Sequence, residues 1–336
     1  MERQCLQRAS EIVTTREPGR VSGVEGRPAR VNVGDRVWAV LLSTLGGAVL
    51  LVALVIVAAL VELSSGAFRH MGIIAFVASR RWDVVHEVYG ALPFIYGTLV
   101  TSAVALLIAL PVSVGLALFL TEMSPRGLRS IVSFPISLLA GIPSVVYGLW
   151  GLFVLVPILR HHVEPFLTRH LGILPFFRGP PIGLGYLAAG MILAIMILPT
   201  ITSIAIEVLR TVPLALREAA LALGATRWEA IRMAVLPYAR AGIVGATILG
   251  LGRALGETMA VTMVIGNAPA ISASLFAPGY SLPAVIANEF AEASSEGHTA
   301  ALAALGLILF AVTLLLNIVA RLLVRVSRRG PARVAA

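Results

Sequence analysis

The chain has 336 residues, of which 58% are hydrophobic and only 13% are charged, and its net charge is +9. A soluble protein of this length carries about 25% charged residues. Together with a mean hydropathy of +0.93, the composition therefore excludes a large soluble domain and predicts an integral membrane protein.

All 26 basic residues are arginine. Because the chain has no lysine, a P-loop lysine and a Schiff-base lysine are both excluded, and any ATP that is used must be bound by another chain. The single cysteine, Cys5, excludes an intrachain disulfide and a cysteine-based metal cluster.

Six stretches are long and apolar enough to cross a bilayer, which takes about 20 residues. They lie near 37–61, 94–120, 130–159, 183–206, 241–266 and 299–320. The third contains Pro135, Gly141, Pro143 and Pro157, so we expect it to bend or break, and Pro199 is expected to kink the fourth. The residues leave open whether these interruptions line a pathway or only pack irregularly.

The arginines are distributed unevenly between alternate loops. If the N-terminus is cytoplasmic, nineteen of the 26 lie on the cytoplasmic side and six lie outside. This positive-inside bias predicts that both termini are cytoplasmic. We therefore expect a cytoplasmic tail over 1–35, a six-helix transmembrane domain over 36–326 and a second tail over 327–336. The positive charge is interpreted as topology and membrane lipid contact, with no nucleic acid partner, since no aromatic cluster accompanies it.

The loop at 211–237, between spans four and five, has the pattern of two short helices. Pro213 suits a helix start, Gly224 suits a left-handed helix end, and Thr226 with Glu229 forms a capping-box pattern. Pro237 marks the expected end of the second helix. From these residues alone, the hairpin either lies on the membrane and its own bundle or docks another protein.

The same loop resembles the EAA loop of ABC importer permeases. The motif is carried by Glu218, Ala219, Ala220, Gly224, Ile231, Leu236 and Pro237. In that family the loop is a coupling helix that inserts into a groove on the ATPase subunit. The resemblance implies that ATPase coupling rests on these positions and on Trp228, which shares a helical stripe with Ile231 and Val235.

Span five contains two charged residues four positions apart, Arg253 and Glu257. An arginine at the bilayer centre costs on the order of 3 kcal/mol, so we expect it to face protein or a pathway and to be paired. Glu257 is the nearest candidate, on the same helical face. Either the two form a structural ion pair, or the guanidinium contacts an anion, since its donors match phosphate and sulfate oxygens. Three glycines allow close approach: Gly250, Gly252 and Gly256.

The stretch GLGRALGETMAV, with the IGN that follows, resembles the C-type permeases of phosphate-specific transport systems. Four further stretches agree, beginning at Tyr89, Leu138, Ala188 and Ile286, so the resemblance extends from about Trp82 to the end of span six. The family needs the motif's arginine and glutamate for transport. This implies a substrate pathway that contains Arg253, Glu257 and Thr258. Ser137 and Ala304 depart from the family, whose members often have acidic residues there.

The resemblance implies an all-α integral membrane protein with the ABC importer permease (MetI-like) fold, located in the inner membrane. The implied partners are a homologous A-type permease, an ATP-binding cassette ATPase dimer and a periplasmic phosphate-binding protein. The chain itself is not expected to be an enzyme or to hold a cofactor. The alternatives are a permease for another oxyanion, such as sulfate or molybdate, and an ATP-independent secondary transporter.

Two further segments have residues that could contact a ligand or a partner. His161, His162, Glu164 and His170 lie in a predicted external loop, but their spacing fits no known ligand pattern, so no metal is expected. Ser281 and Pro283 predict the start of a short external amphipathic helix that reaches Ala293.

Overall fold

The computed structural model describes residues 33–328. The predicted tails therefore lie almost wholly outside the described residues. The α-helices are α1 Val33–Met71, α2 Ile73–Ala78, α3 Leu92–Leu118, α4 Arg126–Gly141, α5 Ser144–Trp150, α6 Val156–Ile158, α7 Glu164–Leu171, α8 Tyr186–Arg210, α9 Leu214–Ala222, α10 Arg227–Ala230, α11 Leu236–Leu255, α12 Met259–Val264, α13 Leu282–Glu289 and α14 Glu296–Arg328. Several are joined end to end by wide π-type turns, at Gly151–Leu155, Leu159–Val163 and Ile231–Val235, and a fourth such turn, Phe119–Met123, extends α3.

Within the described residues, six helical stretches are long and apolar enough to cross a membrane, which confirms the predicted number. We refer to them in chain order as spans one to six: Arg36–Arg69, Leu92–Met123, Ser144–Leu171, Tyr186–Arg210, Arg227–Leu255 and Glu296–Leu322.

The chain divides into two compact units, Met1–Val55 and Ile56–Ala336. In the first unit, the described residues form the first part of α1, where the described side chains are exposed. The second unit contains the remainder of α1 and all later helices.

The third span lies further along the chain than the sequence predicted. The helix α4 is separate and ends at Gly141, and span three begins only at Ser144. Between them Ile142 is extended, with φ −72° and ψ 130°, because a residue before proline is disfavoured in the helical region. The predicted break is therefore confirmed, whereas the predicted bounds 130–159 are wrong.

Span four is the central helix of the second unit. Its most apolar window is 56% buried, against 33% or less in the other spans. Gly190 lies so close to span two that an added Cβ would be 2.5 Å from Val104 Cγ1. The helix runs without interruption through Pro199, and the predicted kink there stays a prediction.

The predicted short helix before span six is present but ends before Ala293. The helix α13 covers Leu282–Glu289, and its first four residues are buried. Its external location stays a prediction. Ser281 caps it as predicted, by accepting a hydrogen bond from the Ala284 N–H at 3.4 Å. Burial raises the pKa of Tyr280 to about 12, and its hydroxyl accepts a hydrogen bond from Asn288.

Candidate functional site

The helix of span five ends at Leu255, and the apolar stretch 241–266, predicted as one span, is broken there. The helix α11 ends at Leu255 and α12 begins at Met259, so Gly256, Glu257 and Thr258 lie in the break. Gly256 has φ −93° and ψ 0°, which is outside the regular helical geometry. The break lies inside the apolar stretch 241–266, and backbone of this kind is tolerated in a membrane only beside protein or a water-filled cavity.

The break separates the two charged side chains that the sequence predicted as a pair. Arg253 Nη1 donates a hydrogen bond to Thr200 Oγ1 on span four at 3.3 Å. Glu257 Oε1 accepts one from the backbone N–H of Ala260, in the first turn of α12, also at 3.3 Å. Among the described residues Arg253 and Glu257 form no ion pair, so the structure does not support the structural pair, one of the two interpretations that the sequence left open.

The short helix α12 is held by the start of span three. Ala260, Val261 and Val264 are buried, and an added Cβ on Gly148 would lie 3.1 Å from Ala260 Cα. The start of span three therefore packs against α12, directly after the break. Thr258, at the start of α12, donates from its hydroxyl to the Gly256 carbonyl at 3.3 Å and is half-buried.

Arg253 lies on an exposed surface of this chain. An arginine within a membrane span is expensive to expose to lipid, so this surface must be covered by another protein chain or by water. Of the three glycines beside it, only Gly250 makes a close approach, with an added Cβ 2.6 Å from Ile201 Cγ1. Around Gly252 no atom lies within 4 Å of such a Cβ, so the space beside Arg253 is open.

The two family departures lie in different surroundings. Ser137 is exposed on α4 and donates a hydrogen bond to the Ser133 carbonyl at 3.1 Å. Ala304 is fully buried in the core around span six. An acidic side chain at Ala304 would therefore need repacking here, whereas one at Ser137 would not.

The loop between spans four and five forms the predicted helical hairpin. The helix α9 covers Leu214–Ala222, Gly224 has φ +85°, and α10 starts after Thr226. The capping box is present in both directions: Thr226 Oγ1 accepts from the Glu229 N–H, and Glu229 Oε2 accepts from the Thr226 N–H at 2.8 Å.

The sequence predicted that the second loop helix ends at Pro237, but the helix continues past it. It continues as span five from Arg227 to Leu255, because the π-type turn Ile231–Val235 precedes the proline. Proline lacks the N–H that a regular helix would need at that position, and a wide turn accommodates it.

The predicted coupling residues fall into two groups. Glu218, Ala219, Gly224, Trp228 and Pro237 are exposed and Ala220 is half-buried, whereas Ile231 is buried. Ile231 packs in a buried cluster with Leu209 and Val235, so this part of the stripe faces the chain's own bundle, and its role in ATPase coupling stays a prediction. A cavity of about 500 Å³ lies between the two loop helices, lined by Ala219, Ala220, Leu223, Gly224 and Met233 among others.

The histidine-rich segment is helical and not a loop. Span three extends through it to Leu171. Glu164 is buried and accepts a hydrogen bond from the Gly183 N–H at 3.0 Å, and His170 Nδ1 lies 2.9 Å from the Phe166 carbonyl oxygen.

The chain matches the family described as binding-protein-dependent transport system inner membrane component over residues 109–329. A phosphate transport system permease protein PstC from Xylella fastidiosa is 47% identical over 325 residues, which cover 95% of this chain and 99% of the relative. One from Mesorhizobium japonicum is 49% identical over 301 residues, which cover 88% of this chain and 92% of the relative.

Two solved structures share the fold at low sequence identity. A bacterial alginate ABC transporter in complex with an alginate pentasaccharide-bound periplasmic protein has a TM-score of 0.59 at 17% identity, covering 88% of this chain and 97% of that chain. A bacterial ABC transporter involved in the import of alginate has a TM-score of 0.58 at 19% identity, covering 88% and 100%. The predicted ABC importer permease fold is confirmed, and the cytoplasmic location of the termini stays a prediction.

Proposed function

We propose that this chain, which belongs to the family of binding-protein-dependent transport permeases and to its phosphate transport system permeases named PstC, forms part of the membrane path of an ATP-driven importer of inorganic phosphate. The relatives' names support phosphate as the substrate.

The observation that carries the proposal is the exposed Arg253 beside the break in span five. Its guanidinium offers planar donors that suit phosphate oxygens, and Thr200 uses one of them. A contact of this kind binds an anion weakly, which transport requires, since tight binding would prevent release. Glu257 and Thr258 lie in the same break and complete the proposed pathway.

The partners of this path are proposed from its two exposed surfaces. A homologous A-type permease covers the surface around Arg253, and the anion passes between the two chains. Two ATPase subunits dock on the exposed loop residues Glu218, Ala219 and Trp228 and on the cavity beside them. A periplasmic phosphate-binding protein delivers the anion from outside. ATP closes the ATPase dimer, the loop helices move, and the cavity changes the side on which it opens.

In this proposal the chain carries out no bond chemistry, because ATP is hydrolysed by the partner chains. A permease for sulfate or molybdate would have the same architecture and differ only in selectivity. An ATP-independent secondary transporter would leave the loop surface without a role.

The test is uptake of labelled phosphate into liposomes that contain the co-expressed complex. We expect uptake to require ATP and the binding protein, and to resist excess sulfate and molybdate. In Arg253→Gln we expect uptake to fall by about ten- to a hundredfold, since a charge-assisted contact is worth about 1.5–3 kcal/mol. Arg210→Gln, which removes an exposed arginine that pairs with Glu207, is the matched control. Uptake without ATP contradicts the ABC mechanism, and ATP-dependent uptake blocked by sulfate contradicts the substrate.

A further inference from the structure

A single arginine joins the loop helix α9 to two membrane spans. Arg217 Nη2 donates a hydrogen bond to Glu122 Oε1, at the end of span two, at 2.9 Å. The same nitrogen donates to the Leu209 carbonyl at 3.0 Å, and Nη1 donates to the Val212 carbonyl at 2.9 Å. Leu209 lies in the last turn of span four. Through this one guanidinium, α9 is connected to the end of span two and to the end of span four.

This connection is partly buried, whereas most of α9 is exposed. The side chains of Arg217 and Glu122 are 21% and 12% exposed, whereas α9 has no fully buried residue. Leu209 and Val212, whose carbonyls accept these hydrogen bonds, are buried in one hydrophobic cluster with Leu118 and Ile231. A partly buried pair of this kind is held more firmly than an exposed pair, because removing one partner leaves the other charge with little water to replace the contact.

Span four links this point to the anion pathway. It is one uninterrupted helix from Tyr186 to Arg210, and it carries both the Leu209 carbonyl that Arg217 holds and the Thr200 hydroxyl that Arg253 contacts. A displacement of α9 that moves Arg217 thereby moves the end of span four, and a rigid helix transmits that movement to Thr200.

We propose that Arg217 and Glu122 are positioning residues that transmit the movement of the loop helix to spans two and four, and through span four to the pathway at Arg253. The proposal rests on the proposed function, because it assigns a route by which ATP hydrolysis reaches the anion site. In this proposal Arg217 acts through its contacts with spans two and four, not by binding ATP or the anion.

The test measures phosphate transported per ATP hydrolysed in liposomes that contain the complete complex. The variants are Arg217→Gln, Glu122→Gln and the double variant, with Arg210→Gln as the control from an exposed ion pair. We expect both single variants to co-purify with the ATPase and to hydrolyse ATP, while phosphate per ATP falls about tenfold, since a buried charge loses its partner. The double variant is expected to be no worse than either single variant, because the two residues act as one unit.

Assembly is scored separately, by the amount of ATPase that co-purifies. If Arg217→Gln fails to assemble, Glu122→Gln carries the test, because it leaves the two carbonyl contacts of Arg217 in place. An unchanged ratio in Glu122→Gln, or parallel losses of uptake and hydrolysis, would overturn the proposal. Failure of the unmodified complex to take up phosphate with ATP would instead contradict the proposed function. Uptake by the unmodified complex is therefore measured before the variants are compared with it.

Discussion

At the scale of single residues, Gly97 has the clearest steric requirement. It lies on span two, where an added Cβ would overlap the carbonyl oxygen of Tyr280. The neighbouring Thr98 Oγ1 accepts a hydrogen bond from the Leu282 N–H at 2.9 Å, which holds this backbone against the helix. We expect Gly97→Ala to lower the free energy of unfolding by about 1–3 kcal/mol, the usual effect of overpacking, measured as thermal unfolding of the purified complex.

Gly115 on the same span is the matched control. No atom lies within 4 Å of an added Cβ there, so Gly115→Ala is expected to be neutral or to stabilise by up to about 1 kcal/mol through helix propensity. Equal unfolding temperatures for the two variants would mean that the segment at Tyr280 moves aside at little cost.

The charged residues of the proposed pathway stood out in the sequence, but their contacts could not be predicted from it. Arg253 and Glu257 stood out because charges are rare in membrane spans. That they do not pair could not be predicted. A spacing of four residues places two side chains on one face only where the helix is continuous, and the three glycines nearby do not by themselves indicate a break. Thr200, Arg217 and Glu122 were missed for another reason. Their contacts join residues 53 and 95 positions apart, and no local pattern encodes such pairs.

At the scale of elements, the loop hairpin owes its shape to the capping box at Thr226. The Thr226 side chain and the Glu229 side chain satisfy each other's backbone N–H groups at the start of α10. We expect Thr226→Ala to cost about 0.5–2 kcal/mol locally, so that residues 226–230 exchange amide hydrogens faster and less ATPase co-purifies. Thr226→Ser keeps the hydroxyl and is expected to behave as the unmodified protein does. If Thr226→Ala leaves both measurements unchanged, the cap does not order this surface.

The helix boundaries show which local signals were sufficient. Thr226 and Gly224 were interpreted correctly, because caps and left-handed glycines act through adjacent backbone groups. Pro237 was wrongly interpreted as a helix end, because the π-type turn before it is set by packing of Ile231 and Val235 in the buried cluster. Proline is a local signal, and here tertiary packing overrides it.

At the scale of the whole molecule, six spans were predicted because hydropathy depends on composition alone. The third span was misplaced because α4 is also apolar, and 16 residues give too short a helix to cross the bilayer. Hydropathy cannot distinguish such a helix from the start of a span when only Ile142 and Pro143 separate them.

The remaining prediction at this scale is that the termini and the coupling loop lie on the cytoplasmic side. Cys5, the only cysteine, is a natural probe for the N-terminal tail. In a Cys5→Ser background, Leu223→Cys reports on the loop, where Leu223 is 90% exposed, and Ala273→Cys reports on the segment between spans five and six, where Ala273 is exposed. Because charged arginine-rich segments resist translocation, a membrane-impermeant maleimide is expected to label Ala273→Cys in intact cells and the other two only after permeabilisation. Labelling of Cys5 in intact cells would contradict the cytoplasmic location of the N-terminus. Labelling of Leu223→Cys in intact cells would mean that the loop lies outside, where no ATPase could dock on it.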